Sequence, residues 1–294
     1  MTFLKWLKFF SVVSLMISIY SISTVANADL KYIETLVSEQ KFDKAIDQLT
    51  ILLSEADAEK KAALLNAIGW GYLKLGDYLN AEKNLIKSQK LALNFEDNET
   101  AMLASNNLGI LNYLQNNLEI SAKYFGGELN QNTETAKLYI KLIEIKRNEL
   151  LSQKSLESGT VSRRKKDFKK AIEEYDVALK YKPRNAAALA YKGYALLRDG
   201  KYDLSIDALT LAKNIDPSRK LIYLNLVKVN CKLNSEQGVN QSIEDSQLPK
   251  QQFIDWHKQD AEFRHMCVEN TYITELIESQ KPSSTQLPVS TPDD

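Results

Sequence analysis

The sequence predicts an all-α protein, an α-solenoid of stacked helix–turn–helix repeats with a C-terminal capping helical segment. The first observation is a repeat, because the segment 167–185 (DFKKAIEEYDVALKYKPRN) recurs thirty-four residues later as 201–219 (KYDLSIDALTLAKNIDPSR) with its apolar positions kept. The second is composition, because 294 residues with 44% hydrophobic side chains contain just 10 Gly and 6 Pro, too few for the turns of an all-β fold. A fixed interval indicates units that stack, since one helix pair cannot bury its apolar face alone.

The first 28 residues have the layout of a secretory signal peptide. Lys5 and Lys8 precede an apolar stretch, and Ala26–Ala28 (ANA) offers small residues at the two positions that a signal peptidase recognises. We therefore expect cleavage after Ala28 and a periplasmic or secreted protein without stable membrane insertion. The alternative is an uncleaved anchor in the inner membrane, because the apolar stretch is about long enough to cross a bilayer.

The repeated segment has the spacing of an amphipathic helix followed by a stop. Its apolar residues fall three and four positions apart, which places them on one helix face. Pro183 and Pro217 end the two copies. Between the copies, 186–200 (AAALAYKGYALLRDG) has similar spacing and closes on Gly200, which suits a tight turn.

The unit resembles the tetratricopeptide repeat (TPR) family. The residues that carry the resemblance, at their intervals within one 34-residue unit, are Leu189, Gly193, Leu196, Gly200, Tyr202, Leu209, Ala212 and Pro217. The resemblance implies an antiparallel helix pair in which Gly193 lets the two helices approach closely. A TPR array is also expected to use its surface for binding.

Further copies of the unit precede the clearest one. They occupy 32–53, 64–88 and 105–129. In the third of these, Asn116 replaces the turn glycine. Gly159 is in register with the later copies, but three serines stand at the apolar positions around it, so the match there is poor.

The intervals between copies predict how the chain is divided. We expect a signal peptide at 1–28, an N-terminal array at 29–130, an extra helix with the C-terminal repeats at 131–234, a helical cap at 235–280 and a disordered tail at 281–294. Within these parts, 133–151 is strongly helical and is either an extra helix or the front of a very long one. The segment 234–247 is expected to be a polar loop, and 248–280 to hold one or two amphipathic helices.

Two cysteines, Cys231 and Cys267, are the only ones in the chain. In an oxidising compartment such a pair can form a single disulfide, which would join the cap to the last array helix. The alternative is two buried thiols that behave as small apolar residues.

Charge and motifs exclude several classes of function. The chain has 38 basic and 38 acidic residues, so it offers no overall basic field to attract nucleic acid. His265 and Cys267 are too few ligands for a metal site, and the glycines around 193–201 do not have phosphate-loop spacing. We therefore expect a non-catalytic protein with no cofactor and no metal; the less favoured alternative is a hydrolase with unrecognised carboxylates.

The family resemblance implies that first helices line a concave, protein-binding groove. Carried over position by position, the groove residues are Asn66, Trp70, Leu73, Asn106, Ile110, Tyr113, Arg163, Tyr194, Leu197 and Arg198. Aromatic, Asn and Arg side chains suit an extended peptide or a helix of another cell-envelope protein. The alternatives are that the aromatic residues simply pack between repeats, or that the exposed face serves self-association into an oligomer. The paired Lys and Asn with which some family members clamp a terminal carboxylate are missing.

Overall fold

The computed structural model describes residues 27–279, and every regular element within this range is an α-helix. The helices are α1 (Asn27–Ser38), α2 (Phe42–Glu55), α3 (Ala58–Leu75), α4 (Tyr78–Asn94), α5 (Asn98–Leu114), α6 (Leu118–Gly126), α7 (Glu134–Arg164), α8 (Phe168–Tyr181), α9 (Ala186–Arg198), α10 (Tyr202–Ile215), α11 (Lys220–Lys232), α12 (Glu236–Asp245), α13 (Lys250–Gln259), α14 (Ala261–Met266) and α15 (Thr271–Glu278). From α1 to α6 and from α8 to α12, helices that follow one another in the chain pack against one another, so the predicted all-α solenoid is confirmed. The predicted tail, and the predicted signal peptide apart from the two residues that begin α1, lie outside the described range.

The chain divides between Arg147 and Asn148 into two compact units, and α7 contributes to both. The segment that begins at residue 133 proves to be the front of a single 31-residue helix. In its first half, Tyr139 packs against Phe125 of α6 with stacked rings whose centroids lie 4.8 Å apart. Its second half pairs with α8 in the second unit.

Close approach at a glycine defines the helix pairs. A Cβ added at Gly69 or Gly193 would lie 2.6–2.7 Å from a leucine sixteen positions further on, in the second helix of the same pair. The same contact joins Gly159 to the ring of Tyr175, at 2.6 Å. The poor match around Gly159 therefore hides a complete helix pair, in which small serines occur where other copies have apolar side chains.

The turn inside each helix pair places one residue in the left-handed region, with φ between 53° and 79°. These residues are Gln40, Gly76, Asn116, Lys166, Gly200 and Asn234. Glycine has no steric penalty there, and Asn tolerates the conformation better than most residues, which explains why Asn116 can replace a turn glycine. The residue after each of them donates a backbone hydrogen bond to a carbonyl five positions earlier, as Lys201 does to Leu196.

The segment predicted to be a polar loop contains a helix, so that prediction is wrong. Ser235 caps α12 by accepting a hydrogen bond from the Gly238 N–H, and α12 packs against α11. Val239 and Ile243, one turn apart, are both buried. Two large apolar residues in ten positions are a weak helical pattern, and the serine cap was the missing signal.

The segment 248–279 after α12 forms three short helices rather than the one or two expected. We call this segment the tail; it is distinct from the predicted disordered segment 281–294. Asp260 separates the first two, because its carboxylate accepts hydrogen bonds from the N–H groups of Glu262 and Phe263 and so begins α14. Asn270 begins α15 in the same way. Phe253 and Phe263 are buried in the same core cluster as the residues of α11.

Candidate protein-interaction surface

The predicted groove residues of α3 are buried between helices. Asn66 accepts a hydrogen bond from Asn107 Nδ2 at 3.0 Å. Trp70 is 3% exposed, and its ring packs edge-on against Phe42 with centroids 5.6 Å apart. Leu73 is also buried. These side chains hold neighbouring helices together and leave little surface for a partner.

The predicted residues of α5 are more varied in exposure. Asn106 is buried, and its Oδ1 has no hydrogen-bond partner among the described residues. Ile110 and Tyr113 are half-buried. The Tyr113 ring lies edge-on to Tyr139, and the ammonium of Lys146 lies 4.7 Å from its centroid. Ile110 and Tyr113, the latter beside Lys146, are thus the residues of this set that reach solvent in the first unit.

Three of the four predicted residues of the second unit meet at one surface. The Arg163 guanidinium, at the end of α7, lies 5.5 Å from the Tyr191 ring centroid and 5.6 Å from that of Tyr194. Arg198 lies 4.8 Å from the Phe168 ring centroid. We call these five residues the tyrosine–arginine face. The fourth, Leu197, is buried instead and points into the core.

A carboxylate from the tail binds to this face. Arg198 donates a hydrogen bond to the Tyr194 hydroxyl at 3.0 Å and forms an ion pair with Glu262 of α14. The Tyr194 hydroxyl in turn donates to Glu262 at 3.1 Å. Burial raises the pKa of Tyr194, an effect that the hydrogen bond from Arg198 opposes. The hydroxyl therefore stays protonated at neutral pH and remains a donor to the carboxylate.

Lys228 on α11 joins the same network and was not anticipated. Its side chain is 4% exposed, and its ammonium binds Asp260 at 2.6 Å and Glu262 at 2.9 Å. Burial disfavours the charged form of Asp260, but hydrogen bonds from Lys228 and from the Phe263 N–H outweigh that effect and hold its pKa below the ordinary value. Lys228 stands thirty-four residues after Tyr194, so the repeat interval itself was the signal for its position.

The two cysteines fix the tail beside this network. Cys231, on α11, and Cys267, just after α14, form a disulfide and are both buried. Cys267 is therefore not available as a thiolate ligand for a metal. Among residues 27–279 there is no group of three or more His, Cys, Asp or Glu side chains placed to hold a metal ion.

The stacked helix pairs described above define an α-solenoid repeat protein. Comparison with known families finds a match to part of this array. The family model described as tetratricopeptide repeat matches residues 156–219, which span the end of α7 and all of α8, α9 and α10. Over residues 156–219, the chain is thus similar to the tetratricopeptide repeat family. No curated protein matches it.

Solved structures with similar helices include the TPR2AB domain of yeast Sti1 in a complex with pHSP90. That chain is 15% identical, with a TM-score of 0.41, and the match covers 87% of the present chain and 98% of the other. The TPR domain of P58(IPK) is 17% identical, with a TM-score of 0.35, over 87% of this chain and 68% of that one. In the described part of the chain, no helix is both long and apolar enough to cross a membrane.

Proposed function

We propose that this protein is a non-catalytic scaffold that binds an extended peptide or a helix of another cell-envelope protein. Arrays of helix pairs provide extended surfaces for binding other proteins. The observation that carries the proposal is the tyrosine–arginine face, where Arg163 and the half-buried Tyr191 and Tyr194 lie together on first helices. Aromatic and arginine side chains dominate the energy of protein interfaces, since they combine large contact areas with directed hydrogen bonds.

A periplasmic or secreted location is part of this proposal. Support comes from the signal-peptide layout of residues 1–28 and from the disulfide between Cys231 and Cys267, because disulfides persist in oxidising compartments and are rare in the cytosol. An uncleaved leader would place the same repeats at the membrane surface.

Photocrosslinking from the tyrosine–arginine face tests the scaffold function. A photoreactive phenylalanine at position 191 keeps an aromatic ring there and leaves the Tyr194–Glu262 bond intact. The matched control is the same residue at position 79 on α4, where Leu79 is exposed. We expect the full-length chain, expressed in its native cell, to give a discrete protein adduct from position 191 and none from position 79. Equal adducts from both positions, or none from either, would contradict the proposal.

Self-association is the second candidate, and the apolar surface of α10 favours it. Leu204 and Leu211, two turns apart on α10, are 54% and 55% exposed, and they border a groove of about 270 Å³ that Ile172 and Leu196 also line. Apolar surface of this kind often marks an interface. Light scattering over a range of protein concentrations tests this candidate. A monomer throughout would remove it, whereas an oligomer that Leu211→Asp dissociates would support it.

A further inference from the structure

The turn between α7 and α8 concentrates positive charge. Six of the eight residues from 163 to 170 (RRKKDFKK) are Arg or Lys, against a single Asp. We call these six the basic turn: Arg163, Arg164, Lys165, Lys166, Lys169 and Lys170. Because the whole chain has no formal net charge, this concentration is a local feature and not a consequence of composition.

No ion pair neutralises the basic turn within the described part of the chain. None of its six cations pairs with a carboxylate there, and all except the half-buried Arg163 are exposed. Lys169 and Lys170 precede Glu173 and Glu174 by one helical turn, but they form no ion pairs with them. The order Lys before Glu is the weaker one on a helix. Asp167 instead accepts a hydrogen bond from the Lys170 backbone N–H.

Stability of the fold does not explain the whole of this charge. Arg163 and Arg164 lie in the last turn of α7, where the helix dipole favours cations. Lys169 and Lys170 lie in the first turn of α8, where the same dipole disfavours them. Lys166 has a φ of 64°, a conformation that glycine adopts in the turns at Gly76 and Gly200 without steric cost. Half of the basic turn therefore works against local stability.

The neighbouring network indicates which anion suits this surface. Arg198 and Lys228 both bind the carboxylate of Glu262, and Lys228 also binds that of Asp260. Arg163 is next in line, beside Tyr194, but has no carboxylate, and its buried Nε has no hydrogen-bond acceptor in the described structure. Three cations thus face two carboxylates, and the unmatched charge is at Arg163, where the basic turn begins.

We infer that the basic turn binds an acidic segment of the partner protein, with one partner carboxylate on Arg163 and further Asp or Glu side chains along residues 164–170. This inference rests on the proposed scaffold function and gives the chemistry of its partner. The carboxylates that the chain itself places on Arg198 and Lys228 favour acidic side chains over phosphate groups. Charge complementarity of this kind speeds association and selects partners, and salt weakens it.

Two variants of equal charge test the inference. The basic-turn variant carries Arg164→Gln, Lys165→Gln, Lys166→Gly, Lys169→Gln and Lys170→Gln. The control variant carries Lys31→Gln, Lys44→Gln, Lys83→Gln, Lys87→Gln and Lys90→Gln, all at exposed lysines of the first unit. Lys166→Gly removes a charge while giving the turn the residue it prefers, so we expect the basic-turn variant to unfold at no lower temperature than the unaltered protein.

The probe is a fluorescent synthetic peptide of alternating Asp and Glu, and its anisotropy is measured with the full chain at low and physiological salt. We expect the basic-turn variant to bind it about tenfold more weakly or worse, and the control variant to stay within about twofold of the unaltered protein. A peptide of alternating Asn and Gln should not bind. Absence of binding to the unaltered protein, or an equal loss in both variants, would overturn the inference.

Two further measurements separate this inference from its alternatives. Binding to phosphatidylglycerol vesicles, but not to the acidic peptide, would assign the basic turn to a membrane surface and overturn the inference. The crosslink from position 191 is then repeated in the basic-turn variant. An adduct of unchanged yield would retain the scaffold function and refute the acidic partner, whereas a lost adduct together with lost peptide binding supports both.

Discussion

Lys228 shows how a single side chain can connect the repeats to the tail. Its ammonium is almost fully buried and lies between two carboxylates of the tail, which are themselves partly exposed. Removing one partner of a buried ion pair leaves uncompensated charge, and its cost exceeds that of losing an exposed pair. The residue therefore holds the segment 260–262 on the face where a partner is proposed to bind.

We predict that Lys228→Met lowers the free energy of unfolding at neutral pH by about 2 kcal/mol, since its two carboxylates keep some access to water. Lys213→Met is the matched control, because Lys213 binds only Asp245, also at 2.6 Å but at a more exposed site, and should cost less than about 1 kcal/mol. Urea unfolding of both variants measures the difference. Equal effects of the two substitutions would contradict the argument from burial.

The ion pair between Lys228 and Asp260 also makes the stability of the fold depend on pH. Since the folded pKa of Asp260 lies below its unfolded value of about 3.9, its contribution to stability is present above that value and is lost as pH falls through the folded pKa. In Lys228→Met the Asp260 carboxylate loses its cation, so its pKa rises. Lowering the pH then protonates this carboxylate and removes its unpaired, partly buried charge. The destabilisation by Lys228→Met should therefore shrink as the pH falls from 7 through about 3.9 toward the folded pKa of Asp260, and a constant difference over that range would exclude a role for Asp260.

Within each helix pair, small residues determine how closely the two helices approach. Gly69, Gly109, Gly159 and Gly193 each lie against a large side chain sixteen positions on. Hydroxyl groups reinforce the pairs, as where Ser205 donates to the Gly193 carbonyl at 2.7 Å. This explains why α7 and α8 form a complete pair although serines replace the expected apolar residues in α7.

Gly159→Ala tests this packing with one methyl group. Its Cβ would lie 2.6 Å from the ring of Tyr175, which is fully buried and cannot move aside without cost. We expect a loss of about 1–3 kcal/mol in unfolding free energy. Gly126→Ala is the control, because a Cβ there meets nothing within 4 Å, and alanine's better helix propensity should leave stability unchanged or about 1 kcal/mol higher. Two variants of equal stability would refute the close-approach argument.

The helix pairs could be predicted from the sequence wherever apolar spacing and turn glycines coincide, as between 186 and 219. The prediction failed at α12, because two buried apolar side chains in ten residues are too few to distinguish a helix from a loop. It also undercounted the helices of the tail, where Asp260 and Asn270 each begin a new one. Of the candidate site, the family resemblance indicated Arg163, Tyr194 and Arg198. The contacts of Lys228 with Asp260 and Glu262 could not be predicted, because they depend on how a segment more than thirty residues distant folds back.

The leader predicted at residues 1–28 agrees with the disulfide that links the tail to the array, because disulfides persist in oxidising compartments and are rare in the cytosol. The disulfide joins residues 36 positions apart, and a loop of that size stabilises a fold by about 2–4 kcal/mol. It also holds the tail beside Lys228 and the tyrosine–arginine face. In a reducing compartment the same chain would keep its repeats but lose this constraint on the tail.

Expression of the chain with and without residues 2–28 tests this connection between export and the tail. With the leader, we expect recovered protein that starts at Asp29 and has no thiol open to alkylation under denaturing conditions. Without it, protein from a reducing cytosol should show two alkylated cysteines, and hydrogen exchange should be faster in 248–279 but unchanged in 27–147, because the disulfide restrains only the second unit. Alkylating the denatured exported protein after reduction is the control and should then label both cysteines. Full-length protein in the membrane fraction would establish the anchor alternative, and two free thiols in the leader-bearing protein would refute export into an oxidising compartment.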